Sequence, residues 1–358
     1  MVSKVNKGTI SGKWSSTRIL KLFKHDPKKK KNSLYNAESR EEIPVSFRMQ
    51  RGKTKARFWS TSQIPYIGKK FGFLSSPAKQ QVITFFTSKG GILKTTMAHE
   101  TARILALNGI KVIVVGLDIQ CSITDILASP SEAETLDDID ETLGLYHLLF
   151  EDAPINDVIQ STELPTLDFV PETSDLNALE KKLRDTKKRE SVFKNKLIRH
   201  LQSYEVIIFD NCPSWNLLIE NALAATNTVI APIGCDINTW RSLQTNLNTF
   251  WEFYEQMDIH LENFFLVPTL LDNSRLSQQI YGSYLNEFDK YSVEIPIKRA
   301  TAGQEAMANR ISILEYAQSS DVASTYRSLI EFLWSKINTI KQKKPIKKRS
   351  AVNSRAPA

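Results

Sequence analysis

The sequence predicts a doubly wound α/β domain with a mostly parallel sheet, preceded by a small basic unit of a different kind. Apolar runs rich in Val, Ile and Phe recur through residues 81–335 without strict polar alternation, as expected of central strands covered on both faces. Helical stretches separate them, so the pattern repeats as β–α–β. Charge is segregated as well: 19 Lys or Arg stand against 4 Asp or Glu in residues 1–80, 20 against 35 in residues 81–335, and 8 against none in residues 336–358. An acidic body thus lies between two basic extensions, which suggests contact with a polyanion.

The elements follow in order. Thr17–Phe23 reads as a short apolar helix ended by His25-Asp26-Pro27. Lys28–Ser39 reads as a second helix with four lysines at its start, and Ile43–Trp59 as two β-prone runs around Arg51-Gly52-Lys53. Helix, turn, basic helix and basic hairpin is the order of a winged helix-turn-helix. In that reading Lys28, Lys29, Lys30, Lys31 and Asn32, with Ser33 and Asn36, face a DNA groove, Arg51, Lys53 and Lys55 form a wing on the backbone, and Phe58 and Trp59 pack the small core. Strands are expected at Val82–Thr87, Val112–Leu117, Leu167–Pro171, Val206–Asp210, Val229–Ile233, Phe264–Pro268 and Val293–Ile297, with a helix over Lys94–Ala106 that Gly109 terminates. The domains expected are 1–74 (winged helix-turn-helix-like), 75–80 (linker), 81–335 (nucleotide-binding body) and 336–358 (a basic disordered tail).

Several function classes are set aside. No run of roughly 18 apolar residues suggests a membrane span, and the N-terminal stretch has no apolar signal core. Cys121, Cys212 and Cys235 match no zinc spacing and suit a reducing, cytoplasmic setting. Cys212 reads as a small buried hydrophobe.

The first strand-to-helix turn reads Thr87-Ser88-Lys89-Gly90-Gly91-Ile92-Leu93-Lys94-Thr95-Thr96. Glycines let backbone approach a phosphate, a helix N-terminus favours the anion, Lys94 reaches β and γ phosphates, and the Thr95 hydroxyl suits Mg²⁺. Residues 89–96 are therefore the expected nucleotide-binding stretch. Ser88 and Leu93 nevertheless occupy both glycine positions of the ordinary P-loop pattern.

Ser-Lys-Gly-Gly-x-x-Lys-Thr-Thr resembles the deviant Walker A motif of the ParA/MinD ATPases, with Lys89 as its additional "signature" lysine. VIVVGLDIQCSIT (Val112–Thr124) is similar to the family's D-x-D-P-Q-G-N-x-T strand and loop. Gly144–Gln160, Leu167–Leu176, Tyr204–Leu223 and Leu266–Gln279 resemble further ParA segments. The resemblance implies a P-loop ATPase fold for 81–335, with ATP and Mg²⁺ as cofactors. It also implies roles: Lys94 on the phosphates, Lys89 reaching across a nucleotide-sandwich homodimer, Thr95 and Asp210 holding Mg²⁺, and Asp118 orienting the attacking water. By looser resemblance Arg275, Lys298 and Arg299 contact non-specific DNA. The chain departs from the pattern at Leu93, at Gly116 in place of the first acid of D-x-D, and at Ile119 and Cys121 in place of Pro and Gly. If position 93 needs positive φ, leucine there costs about 1–2 kcal/mol.

Among relatives, the tail lacks the apolar face of a MinD-type membrane helix, and the cysteines do not supply the cluster of a nitrogenase iron protein. With about eighty residues before the phosphate loop, the chain looks most like the long plasmid and phage ParA proteins. That implies a nucleoid-associated partition ATPase, stimulated by a ParB-like partner and repressing its own operon. The alternative is a nucleotide-switched DNA-binding repressor with little turnover.

Overall fold

The computed structural model describes residues 12–51, 54–128 and 142–339. An eight-stranded sheet has the order β11-β10-β9-β4-β8-β5-β7-β6, where β4 is Gln81–Phe85, β5 Val112–Leu117, β6 Gln160–Ser161, β7 Leu167–Val170, β8 Val206–Asn211, β9 Thr228–Gly234, β10 Asn263–Leu271 and β11 Ile297–Lys298. Every neighbouring pair is parallel except β6 with β7. The mostly parallel sheet expected from the apolar runs is present. One strand shrinks: instead of Val293–Ile297, the edge holds only Ile297–Lys298 and a single bridge from Ser292 to Leu266. Pro296 removes a ladder donor there, which suits an edge.

Alternate residues of each strand feed opposite faces. Ile83, Phe85, Val112, Val114, Ile208 and Ile230 join one buried cluster. Val82, Ile113, Val115, Ile207 and Phe209 join a second, with Leu176, Leu179 and Leu183 of helix Leu176–Arg184. A third cluster lies under helix Ile237–Gln256, around Trp240, Phe250 and Trp251. Burial on both faces is what removes polar alternation from the strands.

The N-terminal unit runs β1 (Lys13–Ser15), α1 (Ser16–Leu22), α2 (Pro27–Ser39), β2 (Phe47–Arg51), β3 (Thr54–Ser60) and α3 (Ile64–Phe71). Its antiparallel sheet has the order β1-β3-β2. Asp26 caps α2, its Oδ1 accepting from the Lys28 N–H at 2.9 Å, and Pro27 sits where a missing N–H costs nothing. The sequence offers no sign of the third strand, β1, which is too short to show a period. Trp59 is fully buried and its Nε1 donates to the Pro44 carbonyl. Phe58 is only partly buried, against Phe47.

No core boundary separates this unit from the body. One apolar cluster runs from Trp14, Leu20, Phe23 and Ile67 through Ile104 and Leu107 of α4 (Lys94–Leu107) to Leu329 and Trp334 of helix Asp321–Ile337. At Gly68 of α3, a Cβ would lie 1.9 Å from the Leu107 carbonyl oxygen, so only glycine permits this approach. Asn108 Oδ1 accepts from the N–H groups of Phe73 and Leu74 at 2.7 and 3.1 Å, and Trp334 Nε1 donates to the Ser75 carbonyl at 2.9 Å. The stretch read as a linker is thus tied down at its start.

Candidate active site

The site forms where α4 leaves β4, beside the carboxyl ends of β5 and β8, the place where open α/β sheets bind ligands. A cleft of about 610 Å³ is lined by Lys89, Gly90, Gly91, Leu93, Lys94, Thr95 and Thr96 of the loop and the start of α4, by Leu117 at the end of β5 with Asp118 and Ile119 after it, and by Cys212, Pro213 and Ser214 after β8. Of the expected loop residues only Ile92 turns away. It is buried, and its carbonyl accepts from Thr269 Oγ1.

The backbone explains the loop's composition. Gly91 has φ +72°, with open space around its missing Cβ, so conformation rather than crowding calls for glycine there. Leu93 has φ 69° and ψ 25°, the left-handed region, immediately before the first residue of α4. That conformation costs leucine about 1–2 kcal/mol; its side chain packs partly buried against the core, which offsets some of this. The N–H groups of the first turn of α4 have no intrahelical acceptor and face an anion site.

Lys94 is 8% exposed and Asp118 9%, so both charges act with little screening. Asp118 Oδ1 accepts from the Gln120 N–H at 3.1 Å. Asp210, at the end of β8, is fully buried, with the Thr95 hydroxyl and the Lys94 charge beside its carboxylate. Burial raises its pKa to about 6, opposed by the Lys94 charge and the Thr95 hydroxyl. A buried carboxylate beside the Thr95 hydroxyl and the phosphate loop fits Mg²⁺, which takes one or two carboxylates and fills its remaining positions with water and phosphate oxygens. Among the described residues no group of three or more His, Cys, Asp or Glu is placed to hold a metal by protein ligands alone. ATP and Mg²⁺ thus match both the shape and the donor set: two lysines and backbone N–H groups for the phosphates, Thr95 and Asp210 for the ion.

Lys89 is held within its own chain. Its Nζ donates to Asp236 Oδ1 at 2.7 Å and to Thr239 Oγ1 at 2.9 Å. Burial opposes ionisation of Asp236, but Lys89 and Thr239 outweigh it and hold the carboxyl below the usual carboxylate range. Sequence reading misses Asp236, although an Asp before helix Ile237–Gln256 is a recognisable cap and accepts from the Asn238 and Thr239 N–H groups. Asn177 and Glu180 also line the cleft, and nothing in the sequence places their helix over it. Cys212, read from the sequence as a small buried hydrophobe, is half-buried: it packs against the third apolar cluster and also lines the cleft, and the burial it has pushes its thiol pKa up, away from reactivity.

The proposed DNA contacts lie elsewhere. Lys28, Lys29, Lys30, Lys31, Asn32, Ser33 and Asn36 of α2 are all exposed, as is Lys55 of β3. The hairpin tip with Lys53 and the Arg51 side chain lie outside the described residues, as does the tail from 340 onward. Arg275 is exposed at the start of helix Arg275–Glu287. Lys298 and Arg299 line a second cavity of about 290 Å³ together with Leu93 and Thr96, which puts them close to the phosphate loop. No helix among the described residues is long and apolar enough to cross a membrane.

The chain is similar to known proteins in sequence and in fold. A family model described as an AAA domain matches residues 80–263. The sporulation initiation inhibitor protein Soj of Bacillus subtilis is 30% identical over 260 residues, covering 70% of this chain and 96% of Soj. The chromosome partitioning protein ParA of Caulobacter vibrioides is 29% identical over 241 residues, covering 66% of this chain and 87% of that protein. A plasmid partition protein from Borrelia burgdorferi shares the fold at a TM-score of 0.56 and 22% identity, over 72% of this chain and 99% of that one. A McdA–ATP complex from Cyanothece does so at 0.62 and 16%, over 74% and 99%. The chain belongs to the ParA family of P-loop ATPases.

Proposed function

We propose that the protein is a partition ATPase that segregates a plasmid or prophage replicon. ATP and Mg²⁺ occupy the cleft, and Lys94 and Asp210 hold the phosphates and the ion. Two chains close face to face over the nucleotides, with Lys89 leaving Asp236 to reach the partner's phosphates. The dimer binds nucleoid DNA without sequence preference, and a ParB-like partner stimulates hydrolysis and release. Asp118 orients the attacking water, while positioned cations stabilise the charge on the phosphoryl group. The observation that supports this reading is one phosphate cleft lined by Lys89, Lys94 and Thr95, with the buried carboxylate of Asp210 beside Lys94 and the Thr95 hydroxyl.

The N-terminal unit binds the operator of the protein's own genes. Four lysines open α2, where the helix dipole disfavours cations. That local cost is offset if the lysines meet DNA phosphates. A second reading, a nucleotide-switched repressor with little turnover, is supported by the left-handed Leu93 and by the glycine at position 116. ATP turnover by the purified chain, alone and with DNA plus the ParB-like partner, separates the two. Stimulation by both additions is expected of the partition ATPase, and nucleotide binding with no turnover under any condition is expected of the switch.

A further inference from the structure

Gly116 lies in β5 opposite Asp210 of β8, two residues before Asp118. A Cβ built on Gly116 would stand 2.3 Å from Cγ of Glu172, 2.6 Å from its Cδ and 2.9 Å from its Oε1. The volume a side chain at 116 would take is therefore filled by the carboxyl end of Glu172, which follows β7, the strand beside β5. Glu172 is 4% exposed. Its Oε1 accepts from the Asp118 N–H at 3.1 Å, and its Oε2 from the N–H groups of Ile123 and Thr124 at 3.2 and 3.3 Å. Its own N–H donates to Thr124 Oγ1 at 2.8 Å. Both oxygens are thus spent on the backbone that carries Asp118 into helix Ser122–Leu127, and two of the donors belong to that helix's first turn, where no intrahelical acceptor exists. A residue needed only for bulk would not have to be a carboxylate. Burying one here is costly, since burial and the charge of Asp210 oppose its ionisation, and the backbone N–H groups it accepts from offset that cost.

We propose that Glu172 is a positioning residue: from the end of the neighbouring strand it supplies the carboxylate that position 116 lacks and fixes the Asp118 segment for ATP hydrolysis. The inference rests on the reading of Asp118 as the group that orients the attacking water.

The test is a reciprocal swap in the full chain, comparing wild type, Gly116→Asp, Glu172→Ala and the double variant by ATP affinity, kcat and hydrogen exchange of the Asp118, Ile123 and Thr124 amides. Each single variant is expected to lose about 10- to 100-fold in kcat, a range typical of supporting residues around a site. Loss of Glu172 should leave ATP affinity within about threefold, so that the defect falls on kcat. The double variant is expected to recover most of the loss, because the carboxylate introduced at position 116 enters the space Glu172 vacates. Wild-type kcat in Glu172→Ala, or a folded double variant no better than the worse single, would overturn the proposal. Asp118→Ala, run alongside, keeps the two readings apart. Normal turnover there removes the Asp118 role, while faster amide exchange in Glu172→Ala still supports positioning and unchanged exchange refutes it. Should the double variant fail to fold, Glu172→Ala alone decides by the same amides.

Discussion

The phosphate cleft and the α2 face carry the same kind of charge in opposite settings. In the cleft Lys94 is almost wholly buried, above an Asp210 with no exposure at all. On α2, Lys28, Lys29, Lys30 and Lys31 are all in solvent. A buried cation acts through fixed geometry at low dielectric, so it suits one small ligand, and salt barely touches it. An exposed row acts through summed charge and counterion release, so it suits a polyanion and weakens steeply with salt. Yet both settings stand on one core. Arg103, on the same helix that begins with Lys94, bonds to Glu315, whose carbonyl accepts from Arg18 of α1 at 3.2 Å.

That contrast breaks most sharply at Lys94. Lys94→Ala is expected to weaken ATP binding by about 100-fold or more, near 3 kcal/mol, while DNA binding by α2 in the absence of nucleotide is unchanged. Isothermal titration with ATP and with operator DNA reads both sides, and equal loss of the two would dissolve the distinction. Next in size is the seam. Gly68→Ala drives a Cβ into the Leu107 carbonyl and should cost about 2 kcal/mol in a denaturant titration. If the N-terminal unit were an independent domain, the same change would leave unfolding of the body untouched.

The lysine row gives a graded effect. Replacing Lys28, Lys29 and Lys30 by Gln should reduce the slope of log K against log salt by about 0.9 for each lysine that meets a phosphate. An unchanged slope would assign them to the solvated surface. The smallest expected effect is on pH dependence. Burial raises the pKa of Glu100 on α4 to about 8. The folded chain therefore keeps a proton that the unfolded chain releases near pH 4.5, and this contribution to stability falls as pH rises from about 4.5 to about 8. Glu100→Gln should flatten that part of the Tm–pH curve, and an equally steep curve would show that Glu100 is ionised in the folded protein.

What the sequence discloses and what it hides divide along physical lines. Strands such as Val112–Leu117 and the loop 87–96 are local: an apolar run and a glycine pair before a helix are readable in one dimension. The cost at Leu93 is readable too, once its place in the loop is compared with a glycine-bearing pattern, and its φ of 69° bears this out. Glu172 and Asp236 are not readable, because each gains its meaning from a strand or loop distant in the chain. Gly116 shows in sequence only as a missing acid, and the acid that fills its space lies 56 positions later. The shared core is hidden for the same reason, since a composition shift near residue 80 looks like a domain boundary whether or not the cores merge.

The two regions meet in a single measurement: DNA affinity of the full chain across a salt titration, without nucleotide and with Mg²⁺–ATP. If the buried cleft governs how the basic surfaces are presented, Mg²⁺–ATP should tighten binding to random DNA by about tenfold or more and steepen the salt slope, because a closed dimer engages more phosphates. The shift should vanish in Lys94→Ala. Identical affinity and slope with and without Mg²⁺–ATP, in a protein that demonstrably binds the nucleotide, would contradict the coupling of cleft and basic surface.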